Sequence, residues 1–391
     1  MVMEIRANIA DLGSAQVGIE DGRISSVRLE GPHDPELPFV SPGLIDIQLN
    51  GFAGVDLSSD PTLDPEKAIS ILPAIWETGV TTFCATLFTD TIEQLEHNFR
   101  VLEEARRLDA HFAQTVPCYH LEGPYLSPGG ARGAHNTALM RSPNWDEFAR
   151  LQEAAGGNIA IVTLAPELPG AYDFIRRARA AGVLVAIGHT DATPEQIHEA
   201  IAAGARLSTH LGNGCPNFIH RHQSPIWAQL ASHRLSASLI CDGFHLPPDL
   251  VRVIQRVKGT DRCILITDAV HLAHLAPGRY WMVGLEVELL PSGQVVTVDR
   301  QSMAGSTLTM NRAVTVFAKF AGVSLGEALQ AATTNPGRLL GREGICTEIA
   351  PGQPANLVTF YPEELALRIE SVLLGGEEVC GAINSMRAGV T

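Results

Sequence analysis

SPGLIDIQLNGFAG (residues 41–54) reads as a single strand. Leu44, Ile45, Ile47 and Leu49 give it the near-continuous apolar character of a strand covered on both faces. Its far end breaks that pattern. Gln48 and Asn50 lie two residues apart, so their side-chain amides point the same way. A strand that is largely apolar along its body and ends in two amides places a shared polar face at its C-terminal end.

Seven further segments repeat the design: VTTFCATLF (80–88), TVPCYHLE (115–122), IAIVTLAPE (159–167), VLVAIGHT (183–190), RLSTHLGN (206–213), SASLICDG (236–243) and CILITDA (263–269). Helical patterns alternate with them at 65–79, 91–108, 145–155, 194–204 and 247–259, several ending in Gly as helices tend to. Eight strands, each followed by a helix within about 300 residues, predict an α/β fold with a (β/α)8 TIM-like barrel over residues 42–345. Both chain ends read as β, through short alternating segments at 4–40, ANLVTF (355–360) and IESVLLGGEEV (369–379). Residues 1–41 and 346–391 are therefore expected to pair into one small β-sandwich domain.

The bulk properties narrow the function. The chain has 391 residues, 45% hydrophobic and 18% charged, with 28 basic against 43 acidic side chains and a net charge of −15. That balance disfavours a nucleic acid or an anionic membrane as partner. There is no run of about 18 uncharged apolar residues, and residues 1–13 lack the apolar segment of a secretion signal. The expectation is a cytoplasmic protein with a small-molecule substrate. Its seven cysteines, at 84, 118, 215, 241, 263, 346 and 380, form no C-x-x-C pair and read as reduced, mostly buried thiols.

The polar strand ends are Gln48 and Asn50, Thr86, Glu122, Glu167, His189, His210, Asp242 and Asp268. Barrel chemistry is built at that rim. Glu122, His189 and His210 offer one carboxylate and two imidazoles, the donor set of a catalytic site that keeps one position open. One divalent ion is expected, zinc first, with iron, manganese or cobalt able to take the same ligands. Such an ion lowers the pKa of a coordinated water towards about 7. Asp268 is then the candidate to carry the proton to a leaving group.

The segments PGLIDIQLNG, HLEGPYL, GHTDAT, THLGN, DGFH, TDA and AGSTLTMNRAV, in this order, resemble the N-acetylglucosamine-6-phosphate deacetylases of the amidohydrolase superfamily. The likeness runs from about residue 41 to GQPANLV (352–358). It implies that Glu122, His189 and His210 are the metal ligands, that Asp268 is the general base and acid, and that His135 polarises the acetamide carbonyl. It also implies sugar contacts from Ala134, Asn213, Gly214, His245, Met303, Ala304 and Gly305. Phosphate would fall to His245 and to Arg221, which in the family reaches the neighbouring subunit's site and so implies a homodimer. Most amidohydrolases carry His-x-His at the end of the first barrel strand. Gln48 and Asn50 stand there instead, which reads as a vacated second-metal position.

Two departures concern the substrate. The family commonly reads NAM after the sixth-strand histidine, where this chain has Asn213, Gly214 and Cys215. FIHRHQSPIWAQL (218–230) lacks the usual Arg-Glu-Pro-Gly context. The alternatives kept open are therefore a deacylase of a different or unphosphorylated N-acyl amino sugar, and a non-catalytic scaffold. A cyclic-amide hydrolase is disfavoured because the third and fourth strands hold no lysine to carboxylate. PYLSPGGARG (124–133) is expected to form a loop over the barrel mouth that closes on substrate.

Overall fold

In the computed structural model, residues 3–282, 285–298 and 303–381 are described. The barrel consists of β1 (Leu44–Leu49), β2 (Val80–Phe88), β3 (Cys118–Glu122), β4 (Ile159–Leu164), β5 (Leu184–Ile187), β6 (Leu207–Ser208), β7 (Ser236–Ile240) and β8 (Cys263–Ile266). They pair in chain order as one eight-stranded parallel sheet. Closure of β8 onto β1 runs through the residues just beyond β8. The Asp268 N–H donates to the Gln48 carbonyl at 2.9 Å, and the Asn50 N–H donates to the Ala269 carbonyl at 2.9 Å. The seam of the barrel thus lies between two of the polar strand ends.

Burial explains why these segments are strands. All six residues of β1 and all five of β3 are buried, and the apolar ones join one continuous core with the inward faces of the surrounding helices. The helical pattern at 65–79 forms two short helices, Pro65–Ile69 and Leu72–Trp76. Pro73 supplies the reason: it has no N–H to give, and its ring clashes with the carbonyl four residues back. The other four predicted helices form where expected, among them Ile92–Leu108 and Pro194–Ala203, the latter opened by a capping box between Thr193 and Gln196.

Both chain ends build one seven-stranded sheet, in the order 377–381, 367–374, 357–362, 39–42, 3–9, 13–20 and 23–31. The sheet folds back on itself. The Ile24 N–H donates to the Gln353 carbonyl and the Ala355 N–H to the Gly22 carbonyl, both at 2.9 Å. A second core of Ile5, Val17, Ile19, Val40, Leu357 and Leu373 lies within the fold. A three-stranded antiparallel insertion, Gly278–Met282, Leu285–Leu289 and Val295–Thr297, follows β8 and packs its own small core against Val270 and Ala304. Among the described residues no helix is long and apolar enough to cross a membrane, and all seven cysteines are free.

Candidate active site

Three ligand atoms meet at the C-terminal rim of the barrel. Glu122 Oε1 lies 3.2 Å from His189 Nε2 and 3.0 Å from His210 Nε2, and the two ring nitrogens are 3.1 Å apart. All three residues are buried. Tetrahedral ligands at ~2.0–2.1 Å from one ion sit about 3.3 Å from each other, so this triangle has the dimensions of a metal face. The His189 tautomer agrees. His189 Nδ1 donates to the Ala131 carbonyl at 2.9 Å, which leaves the lone pair on Nε2, and carbonyl support of this kind is usual behind a metal-bound imidazole. Among the described residues His210 Nδ1 has no hydrogen-bond partner. Glu122, His189 and His210 therefore fit a divalent ion.

The backbone that carries these groups is strained. His189, His210 and Asp268 have φ of 48°, 29° and 51°, a left-handed region that non-glycine residues occupy when their surroundings force it, often at working sites. The surroundings here can be named. Glu167 accepts from Thr190 Oγ1 and from the Asp191 N–H, the Thr190 N–H donates to the Gly214 carbonyl, and the Ser306 N–H donates to the Asp268 carbonyl.

Charges at the site are set by burial and by neighbours. Burial alone would raise the Glu122 carboxyl, but the two imidazoles outweigh it and hold the group well below the usual carboxylate range. Asp268 is pushed up to about 6 by burial first and by the Glu122 charge second. Burial and the adjacent His189 push His135 down to about 3, so its ring is neutral at physiological pH. His135 Nδ1 lies 2.9 Å from Thr89 Oγ1. His245 Nδ1 lies 2.6 Å from Asp242 Oδ2, and Asp242 also accepts from the backbone N–H groups of Phe244 and His245; this ties the ring to the DGFH turn.

A cavity of about 640 Å³ brings most of the expected residues together: Asn50, Glu122, Ala134, His135, His189, His210, Asn213, His245, Asp268, Met303 and Gly305 line it. That volume suits a small metabolite. Four expected residues do not line it. Arg221 is exposed; its carbonyl accepts from Trp227 Nε1, and its guanidinium is outside the cavity of its own chain. Ala304 is buried beside the cavity, its N–H given to the Val295 carbonyl. Gly214 packs beneath the ligands: a Cβ there would come within 2.7 Å of His189 N and 2.9 Å of His210 Cε1. An alanine, as in the NAM pattern, would press on both histidines. Gln48 is fully buried and hydrogen-bonds to Glu122 and Asp268.

Three polar groups escaped the sequence reading. Arg132, in the same Gly-rich loop as His135, is the only Lys or Arg among the described residues that lines the cavity. Asp46 and His120 form a polar layer one step below the rim, two residues before Gln48 and Glu122. Asp46 accepts from Thr267 Oγ1 and from the backbone N–H groups of Gln48 and Thr267. His120 lies 3.0 Å from the Ile47 carbonyl and 2.7 Å from Thr163 Oγ1. The period of two along a strand was the available signal for both.

Comparison with known proteins agrees with this geometry. Residues 39–379 match the model of the amidohydrolase family. The chain is 34% identical to the N-acetylglucosamine-6-phosphate deacetylase of Bacillus subtilis over 88% of this chain and 87% of that protein. It is 30% identical to the N-acetylgalactosamine-6-phosphate deacetylase of Escherichia coli O157:H7 over 94% and 95%. A solved mutant of the Mycobacterium smegmatis N-acetyl-D-glucosamine-6-phosphate deacetylase, in complex with N-acetyl-D-glucosamine-6-phosphate, superposes with a TM-score of 0.86 at 30% identity, over 97% of this chain and 99% of that one.

Proposed function

The chain belongs to the amidohydrolase family, and from that premise we propose that it hydrolyses N-acetylglucosamine-6-phosphate to glucosamine-6-phosphate and acetate. The observation that carries this reading is the convergence of Glu122, His189 and His210 with Asp268 in one cavity. Glu122, His189 and His210 would hold one divalent ion, zinc first among the candidates. When bound, the ion would supply Lewis-acid polarisation of the acetamide carbonyl and lower the pKa of the attacking water towards about 7. Asp268 takes the proton from the attacking water and hands it to the departing amine. His135, neutral, donates a hydrogen bond to the oxygen that gains charge, a contribution of about 3 kcal/mol for one such donor.

The backbone and side chains of Ala134, Asn213, His245, Met303 and Gly305 surround the sugar. Phosphate falls to His245 with Arg132 of the same chain, and to Arg221 delivered from a second subunit. Arg221 sits in a segment that exposes Phe218, Ile219 and Trp227, a surface suited to a homodimer in which it enters its partner's cavity. The same reading places the enzyme in the cytoplasm. It also divides the chain into a barrel at 42–345 and a β domain from 1–41 with 346–391.

A second substrate has a specific observation behind it: the E. coli O157:H7 relative aligned over 94% of this chain is named for N-acetylgalactosamine-6-phosphate. Acetate release from N-acetylglucosamine-6-phosphate, N-acetylgalactosamine-6-phosphate and N-acetylglucosamine separates the readings. The expected order of kcat/KM follows that sequence, with at least about a hundredfold between the first and the last. Preference for the galactose epimer would replace the sugar assignment, and equal turnover without phosphate would remove Arg132 and Arg221 from recognition.

A further inference from the structure

Resting on that deacetylase reading, we propose that Gln48 and Asn50 are positioning residues of the reaction: their N–H groups stand in for a second cation and hold Asp268 with Oδ2 left free for the proton. Asn50 Nδ2 donates to Asp268 Oδ1 at 2.8 Å. Gln48 Nε2 lies between two carboxylates, 3.2 Å from Asp268 Oδ1 and 3.1 Å from Glu122 Oε1. An ionised carboxylate only accepts, so each amide must turn its nitrogen towards the acid. Both donors fall on the same oxygen of Asp268. No described residue bonds to Oδ2, which is the oxygen left to take a proton.

The clamp involves the main chain as well. The Asp268 N–H reaches the Gln48 carbonyl and the Asn50 N–H reaches the Ala269 carbonyl, each at 2.9 Å. Backbone and side chains of the end of β1 therefore grip the 268–269 turn together, and they hold Asp268 at its strained φ of 51°. Charge counting favours neutral donors. Glu122 and Asp268 contribute two negative charges, which balance one divalent ion; a second ion would leave the buried site with two uncompensated positive charges, a costly state. Amides orient the acid and add no charge. The two side chains divide the work: among the described residues the Asn50 amide donates to Asp268 alone, whereas the Gln48 amide also fixes the distance from the proton carrier to a proposed metal ligand.

That division gives the test. In Asn50→Leu, close in shape and without a donor, kcat for N-acetylglucosamine-6-phosphate should fall roughly 10- to 100-fold. KM and metal content should stay within about twofold of the parent. In Gln48→Met the same loss should come with easier removal of the metal by a chelator. Because Asn50 acts through Asp268, adding Asn50→Leu to Asp268→Asn should lower the residual turnover by less than about twofold. Asn50→Ala is read in the same way should the leucine variant misfold, as judged by circular dichroism. A fall in kcat of less than about fivefold in a folded, metal-loaded Asn50 variant, or the same loss in both backgrounds, overturns the inference. A parent enzyme that holds no metal and releases no acetate overturns the reading beneath it instead.

Discussion

Asp46 shows how much one side chain can be worth at the residue scale. It is fully buried, and burial pushes its carboxyl from an ordinary value of 3.8 up to about 7, against the opposing pull of its hydrogen bonds from Thr267 and Gln48. Between those two values the folded chain binds a proton that the unfolded chain releases. Stability from this group is therefore complete below about pH 4 and is lost as pH rises through about 7. Asp46→Asn should remove that contribution: relative to the parent, the variant should gain stability steadily from pH 4 to pH 8 in urea titrations. A constant difference across that range would show that Asp46 titrates normally. Asp46 was hidden in the sequence because one acid inside LIDIQLN looks like an interruption of an apolar strand. Its partners at Thr267 lie 221 residues away. Glu122, His189, His210 and Asp268 were legible for the opposite reason, since each stands at a strand end where the pattern turns polar. The hydrogen-bond partners of Gln48 and Asn50 were not legible, because an amide's partners are set only by the groups that folding brings to face it.

One element holds the site itself, and another holds a helix of the barrel wall. The loop at 129–135 wraps His189: Ala131 accepts from its Nδ1, and Gly133, at φ 59°, passes so close that a Cβ would come within 2.9 Å of His189 Cε1. Gly133→Ala combines a left-handed backbone with that collision. It should weaken metal binding by about 10-fold or more, the usual scale for disturbing the support of a ligand, while far-ultraviolet circular dichroism stays unchanged. Chelator competition measures this, and unaltered metal retention would free the loop from that role. At the opposite end of the helix Pro225–Ala231, buried Lys258 donates to the carbonyls of Gln229, Ser232 and Leu235 at 2.5, 2.9 and 3.0 Å. Lys258→Met keeps the length and leaves those carbonyls unpaired, so it should cost about 2–4 kcal/mol in denaturant unfolding, and a cost below about 1 kcal/mol would contradict the capping role. The eight barrel strands were readable because each is a short apolar run between turn signals. The insertion at 278–297 was not, because it follows the eighth barrel strand at the point where the barrel rhythm calls for a helix.

At the scale of the whole molecule, the barrel is built to fold without the proposed ion. The proposed ligands come from β3 and from the turns that follow β5 and β6, and these strands are paired in the barrel and packed in its core without help from a cation. Metal removal should therefore abolish turnover and leave the barrel folded. The unfolding free energy should fall by the linkage energy of one bound ion, which at a thousandfold excess over Kd is about 4 kcal/mol, and the melting temperature should fall with it. The most direct test of the account is the metal stoichiometry of extensively dialysed protein, measured by elemental analysis together with acetate release, for the parent and for His189→Ala and His210→Ala. One equivalent per chain in the parent, lost with activity in both variants, is the predicted result; two equivalents, or full activity in protein with none, would contradict it.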